Sequence, residues 1–257
     1  MCGVVYQMSW TLQDSPANAY LASCRRAAQD DQFFSMFKRD GAYRYVLEHV
    51  SPEEGQKYLD ETDFNFMDKI DEIKENDSLG SPYLYEYEGV GQISPTTLRY
   101  IKNTSDIVNK FGTDIKSVVE IGGGYGGLCK VLSSFIDFES YLLIDLEEPN
   151  LLSRKYLSHF NLPTLSHRSE EIVEIEENFD LLISNYAFSE CDRETQLEYI
   201  EKFVKKTNRI YMMYNDFSPE NIHHQEFADM LSDLFDIEFY ADHGIDTEPK
   251  VLFGTRK

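Results

Sequence analysis

Five glycines fall within six positions of the run VVEIGGGYGGL, at residues 118–128. The glycines follow β-branched residues and one acid, Glu120, which lies two positions before the first glycine. A glycine-rich turn between a strand and a helix lets a ligand approach the backbone closely. Ordering five glycines is costly in conformational entropy, so the run predicts a ligand-binding loop rather than a plain connection.

Two cofactor motifs overlap on these residues. Gly122, Gly124 and Gly127 match G-x-G-x-x-G, the dinucleotide fingerprint, in which a pyrophosphate lies on a helix N-terminus. The segment from Glu120 to Gly126 also matches E-x-G-x-G-x-G, the first motif of proteins that use S-adenosylmethionine. A nearby carboxylate opposes a pyrophosphate, but it suits the ammonium and sulfonium groups of S-adenosylmethionine. The motif therefore favours S-adenosylmethionine, with a nicotinamide cofactor as the alternative.

Further polar residues lie where cofactor groups would be held. Asp145 ends the second predicted strand and could accept hydrogen bonds from both ribose hydroxyls, or could cap the next helix. Ser169 and Glu170 follow the third strand, beside the expected adenine position. Arg99 could pair with the methionyl carboxylate through its fork of donors, or could be a surface arginine.

Removing a proton from an acceptor hydroxyl requires a base, and two residues are candidates. Glu190 follows the fourth predicted strand, and His223 is of the residue type that most often acts as a base near neutral pH. The structural alternative for Glu190 is an ordinary acid at a helix N-terminus. The alternative for His223 is a capping or surface histidine. His224 and Asp216 are secondary candidates. Asp216 with Asp192 or Glu190 could bind a divalent metal, but no compact carboxylate cluster occurs, so a metal is possible and not favoured.

The elements that position these residues fall into two regions. Residues 1–112 are predicted to form a helical N-terminal cap and lid, in which Ser51 caps a helix running towards Lys74. Residues 113–257 are predicted to form the S-adenosylmethionine-binding domain, where apolar strands alternate with helices. The predicted strands are 117–122, 141–146, 164–167, 180–186, 209–215, 237–243 and 250–255. Only GIDTEP separates the last two strands, which is too short for a helical crossover. We therefore expect an α/β fold with a doubly wound, mostly parallel seven-stranded sheet and an antiparallel last strand.

Composition limits the class of partner. The chain has 46 acidic against 24 basic residues and a formal net charge of −22, which disfavours nucleic acid and anionic membrane surfaces. No apolar run is long enough to span a bilayer, and the first residues lack the features of a signal peptide. Four scattered cysteines fit a reducing compartment, so a cytoplasmic location is expected.

Four segments resemble the bacterial sugar O-methyltransferase family: VVEIGGGYGGLCKVL, YLLIDLEEPNLLSRKYL, FDLLISNYAFSEC and, upstream, GSPYLYEYEGVGQISPTTLRY. The resemblance covers about residues 76–257, and SNYAFSE is more specific than the glycine motif. It implies a class I methyltransferase fold of the Rossmann-like kind. It also implies S-adenosylmethionine as cofactor and a sugar or glycoside hydroxyl as acceptor.

The sequence therefore predicts an S-adenosylmethionine-dependent O-methyltransferase that acts on a sugar or glycoside. The alternatives are a methyltransferase of a non-sugar small molecule, a methyltransferase-like binding subunit without catalysis, and a nicotinamide-dependent oxidoreductase. The predicted catalytic residues are Glu190 and His223. The predicted cofactor-binding residues are Arg99, Glu120, Gly122, Gly124, Tyr125, Gly126, Asp145, Leu146, Ser169, Asn185 and Tyr186.

Overall fold

The N-terminal part of the chain is built from short helices. The computed structural model describes residues 16–168, 177–216, 218–241 and 250–257. The helices of this part are α1 Pro16–Gln29, α2 Asp31–Phe34, α3 Gly41–Val46, α4 Pro52–Asp60, α5 Ile70–Lys74 and α6 Pro95–Phe111. Single 3-10 turns occupy Phe37–Arg39, Met67–Lys69 and Glu75–Asp77. No helix in the described ranges is long and apolar enough to cross a membrane.

Helix α4 begins at the predicted N-cap. The Ser51 hydroxyl accepts a hydrogen bond from the Glu54 amide at 3.1 Å, and the Glu54 carboxylate accepts one from the Ser51 amide at 2.7 Å, which forms a capping box. The prediction that this helix runs to Lys74 is wrong, since α4 ends at Asp60. Side chains of α6 bind the following backbone: the Asp63 amide donates to Ser105 Oγ, and the Asp63 carbonyl accepts from Asn109 Nδ2.

Residues 85–93, within the region predicted as cap and lid, form a small hairpin. Strand β1 (Tyr85–Tyr87) pairs antiparallel with β2 (Gly91–Ile93). Tyr87 is buried, and its hydroxyl donates to the Pro52 carbonyl at the start of α4. Tyr83 and Tyr85 are exposed, and the Tyr83 ring lies beside the guanidinium of Arg44. Tyr87 therefore attaches the hairpin to α4, and Lys74 of α5 attaches it as well by donating to the Val90 carbonyl.

The C-terminal part contains one mixed sheet, which confirms the predicted doubly wound, mostly parallel arrangement with an antiparallel last strand. Its strands are β3 Ser117–Ile121, β4 Ser140–Ile144, β5 Thr164–Arg168, β6 Phe179–Asn185, β7 Thr207–Tyr214, β8 Phe235–Ala241 and β9 Lys250–Arg256. The order is β5-β4-β3-β6-β7-β9-β8; the first five are parallel, and β9 runs antiparallel to both neighbours. The associated helices are α7 Gly127–Leu132, α8 Glu147–Leu157, α9 Ala187–Glu190, α10 Arg193–Lys202 and α11 His224–Leu231, with a 3-10 turn at Val204–Lys206.

Each face of the sheet is covered by a separate apolar core. Consecutive residues of β3 alternate between the two, because side chains along a strand point to opposite faces. Val118 packs into the core that also holds Phe37 and Tyr43 of the N-terminal cap, whereas Val119 packs into the core beneath α10 and α11. The helical cap and one face of the sheet therefore share a single core.

A buried polar cluster fixes the cap against the glycine-rich segment. Lys38 is 1% exposed; its ammonium donates to the Asn76 carbonyl at 2.6 Å and lies 4.4 Å from the centre of the Tyr125 ring. The Asn76 amide donates to the Tyr125 hydroxyl, and Tyr156 of α8 donates to Asn76 Oδ1. Because burying these groups is favourable only when they are paired, the cluster specifies one docking position for the cap.

Candidate functional site

A cavity of about 410 Å³ opens at the carboxyl ends of β3, β4, β6 and β7, the usual ligand position in a doubly wound sheet. Each of these strands contributes a residue at or just after its end: Gly122, Asp145, Asn185 and Asn215. The cap closes the opposite side. The lining residues are Tyr20, Val46, Leu47, His49, Arg99, Tyr100, Glu120, Gly122, Gly123, Gly124, Leu128, Asp145, Asn185, Tyr186, Ala187, Glu190 and Asn215.

The loop after β3 needs glycine for steric reasons. Gly122 and Gly124 have φ of 79° and 54°, values that residues with a side chain rarely adopt. A Cβ on Gly122 would lie 2.1 Å from the Cβ of Ala187, and a Cβ on Gly124 would lie 2.7 Å from Leu47 Cδ1. The first contact involves the segment after β6 and the second the cap, so both neighbours approach the glycine backbone closely.

Asp145 connects the end of β4 to the glycine loop. Its Oδ2 accepts the Gly124 amide at 2.9 Å, and its Oδ1 accepts the Leu146 amide at 2.8 Å. These two bonds orient the carboxylate beside the cavity, and a carboxylate can accept about four hydrogen bonds. The arrangement is suited to a ribose.

Glu120 is a buried acid in the cavity wall. It is 2% exposed, and its Oε2 accepts a hydrogen bond from the Tyr141 hydroxyl at 2.8 Å. Burial raises the pKa of Glu120 to about 7, and the charge of Asp145 acts in the same direction, while the Tyr141 hydrogen bond opposes it. A ligand ammonium placed beside this carboxylate would stabilise its ionised form.

Arg99 supplies a buried positive charge to the same cavity. Helix α6 carries it, its side chain is largely buried, and its Nη2 donates to the Leu47 carbonyl at 3.3 Å. Among the residues that the structure describes, no carboxylate oxygen lies within 4.0 Å of its guanidinium nitrogens. A carboxylate brought by a ligand could pair with it in a fork geometry.

The tips of β6 and β7 form the remaining polar wall. Asn215 Nδ2 donates to Glu190 Oε1 at 3.2 Å, and Asn185 Oδ1 accepts from Asn103 of α6 at 3.2 Å. Tyr186 has φ of 68°, a strained left-handed conformation, and its amide donates to the Met213 carbonyl at 2.8 Å. Such strain costs about 1–3 kcal/mol and is concentrated at functional sites.

The structure brings together Arg99, Glu120, Gly122, Gly124, Asp145, Asn185, Tyr186 and Glu190, all predicted from the sequence. Four other predicted residues lie elsewhere. Tyr125 is buried against Phe37 and Tyr156; Gly126 packs on Leu157, which a Cβ would approach to 2.7 Å; and Leu146 is 38% exposed. His223 precedes α11, and its Nε2 is bonded to the Ser218 carbonyl. None of these four lines the cavity.

Other candidate residues named from the sequence are Ser169, Glu170, Asp216 and His224. Ser169 and Glu170 fall outside the described residues. Asp216 contacts the His224 ring and also accepts the His224 amide at 3.0 Å. Within the described ranges, no group of three His, Cys, Asp or Glu side chains could hold a metal ion.

Several lining residues were missed by sequence reasoning. Tyr20, Leu47 and His49 come from the cap, and no local pattern links this region to the glycine motif. Asn215 could have been predicted from the sequence. It directly follows β7, just as Asn185 ends the neighbouring strand β6, and parallel neighbours end at the same edge of a sheet.

Comparison with known proteins identifies the fold. No family model and no curated sequence matches the chain. An amino pentose methyltransferase from Micromonospora echinaspora, solved with S-adenosylmethionine, is similar over 62% of this chain and 90% of its own, with a TM-score of 0.50 and 8% identity. A magnesium protoporphyrin IX methyltransferase from Synechocystis PCC 6803, solved with S-adenosylhomocysteine, is similar over 84% and 98%, with a TM-score of 0.49 and 10% identity. The likeness to the Micromonospora enzyme, together with the strand order, shows the Rossmann-like fold seen in class I methyltransferases, as predicted.

Proposed function

We propose that the protein binds S-adenosylmethionine in this cavity and methylates a hydroxyl group of a sugar or glycoside. The observation that carries the proposal is the set of three charged side chains around one glycine loop. Asp145 matches the ribose hydroxyls, Glu120 the ammonium group and Arg99 the carboxylate of the methionyl part. A dinucleotide would instead bring a pyrophosphate next to two acids, which is electrostatically unfavourable.

The fit also extends to shape. Gly122, Gly123 and Gly124 line the cavity with backbone atoms, and the cap residue Leu47 packs closely against Gly124. When bound, S-adenosylmethionine supplies an activated methyl group on a sulfonium. The protein then has to hold an acceptor oxygen in line with that methyl group, because orientation alone provides a large part of the rate.

Glu190 and Asn215 are the residues we assign to the acceptor. Asn215 is 6% exposed and holds one carboxylate oxygen of Glu190, so the carboxylate has a defined position at the strand tips. A carboxylate accepts hydrogen bonds readily from sugar hydroxyls. Of the two predicted catalytic residues, Glu190 lines the cavity, and His223 is held on the Ser218 carbonyl outside it.

Three observations support a sugar as the acceptor. The sequence segments resemble a sugar O-methyltransferase family, and the structural neighbour from Micromonospora is itself named for an amino pentose. The cavity also combines aromatic and polar groups, with Tyr20, Tyr100 and Tyr186 beside Glu190 and Asn215. Aromatic faces and hydrogen-bonding groups together suit a polyhydroxylated ring.

A thermal-shift comparison tests the cofactor. S-adenosylhomocysteine at about 100 times its Kd should stabilise the protein by about 2.7 kcal/mol and raise Tm, whereas NAD and NADP should leave Tm unchanged. Arg99→Leu should reduce the S-adenosylhomocysteine shift, because it removes the cation paired with the ligand carboxylate. Stabilisation by NAD or NADP alone would contradict the proposal and favour an oxidoreductase.

A methyl-transfer panel tests the acceptor. The wild-type protein is incubated with methyl-labelled S-adenosylmethionine and aryl glycosides, free sugars, phenols or simple alcohols, and label in the acceptor is counted. We expect transfer to sugar or glycoside hydroxyls. Transfer only to non-sugar compounds would indicate the other class of acceptor, and tight cofactor binding with no transfer to any probe would indicate a binding subunit.

A further inference from the structure

His49 is a cavity residue on the N-terminal cap that lies outside the predicted catalytic set. It follows α3 and precedes α4, and it lines the same cavity as Glu190 and Asn215. The residue is exposed, which puts it at the mouth of the cavity rather than in its floor. An imidazole at this point can exchange protons both with a bound ligand and with solvent.

A backbone carbonyl fixes the protonation pattern of this ring. His49 Nδ1 lies 3.0 Å from the Val46 carbonyl oxygen. Since a carbonyl only accepts hydrogen bonds, Nδ1 carries the proton in the neutral ring, and Nε2 carries the lone pair. Within the described part of the chain, no protein group forms a hydrogen bond with Nε2.

The charges around the ring favour its neutral form. Partial burial lowers the pKa of His49, and the guanidinium of Arg99 lowers it further. The Val46 hydrogen bond and the carboxylate of Glu54 act in the opposite direction but do not compensate. At neutral pH the ring is therefore a base ready to accept a proton.

We propose that His49 is the general base of the reaction and that it accepts the acceptor proton on Nε2. The inference rests on the proposed methyl transfer. The O–H bond of the acceptor breaks and its proton moves to Nε2, while the oxygen pair forms the new O–CH3 bond. The S–CH3 bond breaks in the same displacement, and its electron pair stays on sulfur. The imidazolium of His49 then releases its proton to solvent at the cavity mouth.

Glu190 has a different part in this scheme. Its carboxylate is held by Asn215 at the strand tips, so it can orient the acceptor hydroxyl while His49 removes the proton. The two groups come from different parts of the chain, Glu190 from α9 after β6 and His49 from the cap. The cap would therefore complete the catalytic site as well as cover it.

Three variants separate the base from its structural contacts. His49→Asn keeps a side-chain amide donor that can bind the Val46 carbonyl, but it removes the basic nitrogen. His49→Ala leaves space for added imidazole. His159→Ala is the matched control, because His159 Nδ1 makes the same kind of bond, to the Lys155 carbonyl at 2.9 Å, outside this cavity.

The kinetic test uses single-turnover methyl transfer to a hydroxyl probe from the panel. Both His49 variants should be about 10²–10⁴-fold slower than the wild type. Their S-adenosylhomocysteine affinity, measured by calorimetry, should stay within about threefold of the wild-type value, because the proposed role of His49 is towards the acceptor and not the cofactor. Added imidazole should restore activity to His49→Ala in proportion to its concentration, and His159→Ala should behave as wild type. The acidic limb of the pH–rate profile should disappear with His49.

The outcomes distinguish the inference from the proposed function. Unchanged turnover in both His49 variants, with a wild type that methylates the probe, would overturn the base assignment alone. Nitrogen NMR of the histidine-labelled protein gives a test without any acceptor, because a protonated Nε2 on His49 at pH 7.5 would also overturn it. A wild type that does not bind S-adenosylhomocysteine would refute the proposed function. Binding of S-adenosylhomocysteine without methyl transfer to any hydroxyl probe would overturn the inference, because His49 would then have no reaction in which to act as a base.

Discussion

Replacing Asp145 by asparagine tests the cofactor site most directly. In the structure the two carboxylate oxygens each accept a backbone amide, from Gly124 at 2.9 Å and from Leu146 at 2.8 Å. An asparagine of the same shape retains a single oxygen acceptor. Its amide nitrogen would face the second backbone donor, so the loop would lose one bond and the ligand would lose a charged acceptor.

The expected size of the effect follows from these bonds. A hydrogen bond to a charged group contributes about 1.5–3 kcal/mol. Losing one such bond to the ribose should therefore weaken S-adenosylhomocysteine binding about 10- to 140-fold, since 1.4 kcal/mol corresponds to a factor of ten. Tm should fall as well, because a Gly124 or Leu146 amide is left without its acceptor. Calorimetric titration measures the first effect and thermal unfolding the second.

Asp180 provides a matched control for this experiment. Its Oδ2 also accepts two backbone amides, from Lys116 at 2.8 Å and from Ser117 at 3.1 Å, but it lies at the start of β6, at the edge of the sheet opposite the cavity. Asp180→Asn can keep both bonds on its one amide oxygen, so Tm should change little and the dissociation constant should stay within about twofold. Wild-type affinity in Asp145→Asn, or an equal loss in both variants, would refute the assignment.

Three further variants test the rest of the cavity. Because burial raises the pKa of Glu120 to about 7, the empty site holds this acid protonated below that pH, and S-adenosylhomocysteine affinity should fall up to about tenfold per pH unit there. Calorimetry of Glu120→Gln between pH 5.5 and 8.5 should show no such dependence; a persisting slope would assign it to another group. Gly124→Ala should weaken binding about tenfold, and adding Leu47→Ala should recover part of the loss, because the new Cβ would lie 2.7 Å from Leu47 Cδ1. If Gly124→Ala and Leu47→Ala changed the binding free energy in a strictly additive way, the proposed contact between the two side chains would be contradicted. Glu190→Gln should raise KM for the acceptor and lower kcat less than about tenfold. A kcat loss of about 10² or more would make Glu190, rather than His49, the base.

Local patterns in the sequence were enough to predict most of the sheet. Short apolar strands separated by helical segments specify a parallel sheet covered on both faces, and the six-residue GIDTEP link specifies an antiparallel partner for the last strand. The Ser51 cap also follows from residues three positions apart. The glycine loop, Glu120 and Asp145 were predictable for the same reason, since each is defined by its place at the end of a strand.

Contacts between distant segments decided the rest. After the end of α4 at Asp60, Ser105 and Asn109 bind the backbone of Asp63, more than 40 positions earlier in the chain. The placement of His49 in the cavity depends on the docking of the whole cap, which buried groups such as Lys38 and Asn76 specify. Such contacts follow no fixed spacing along the chain, because loops of any length can bring distant residues together, so no sequence pattern predicts them. The sequence by itself determined the sheet and the polar residues at its strand ends, and only the tertiary structure placed cap residues such as His49 and Leu47 against them.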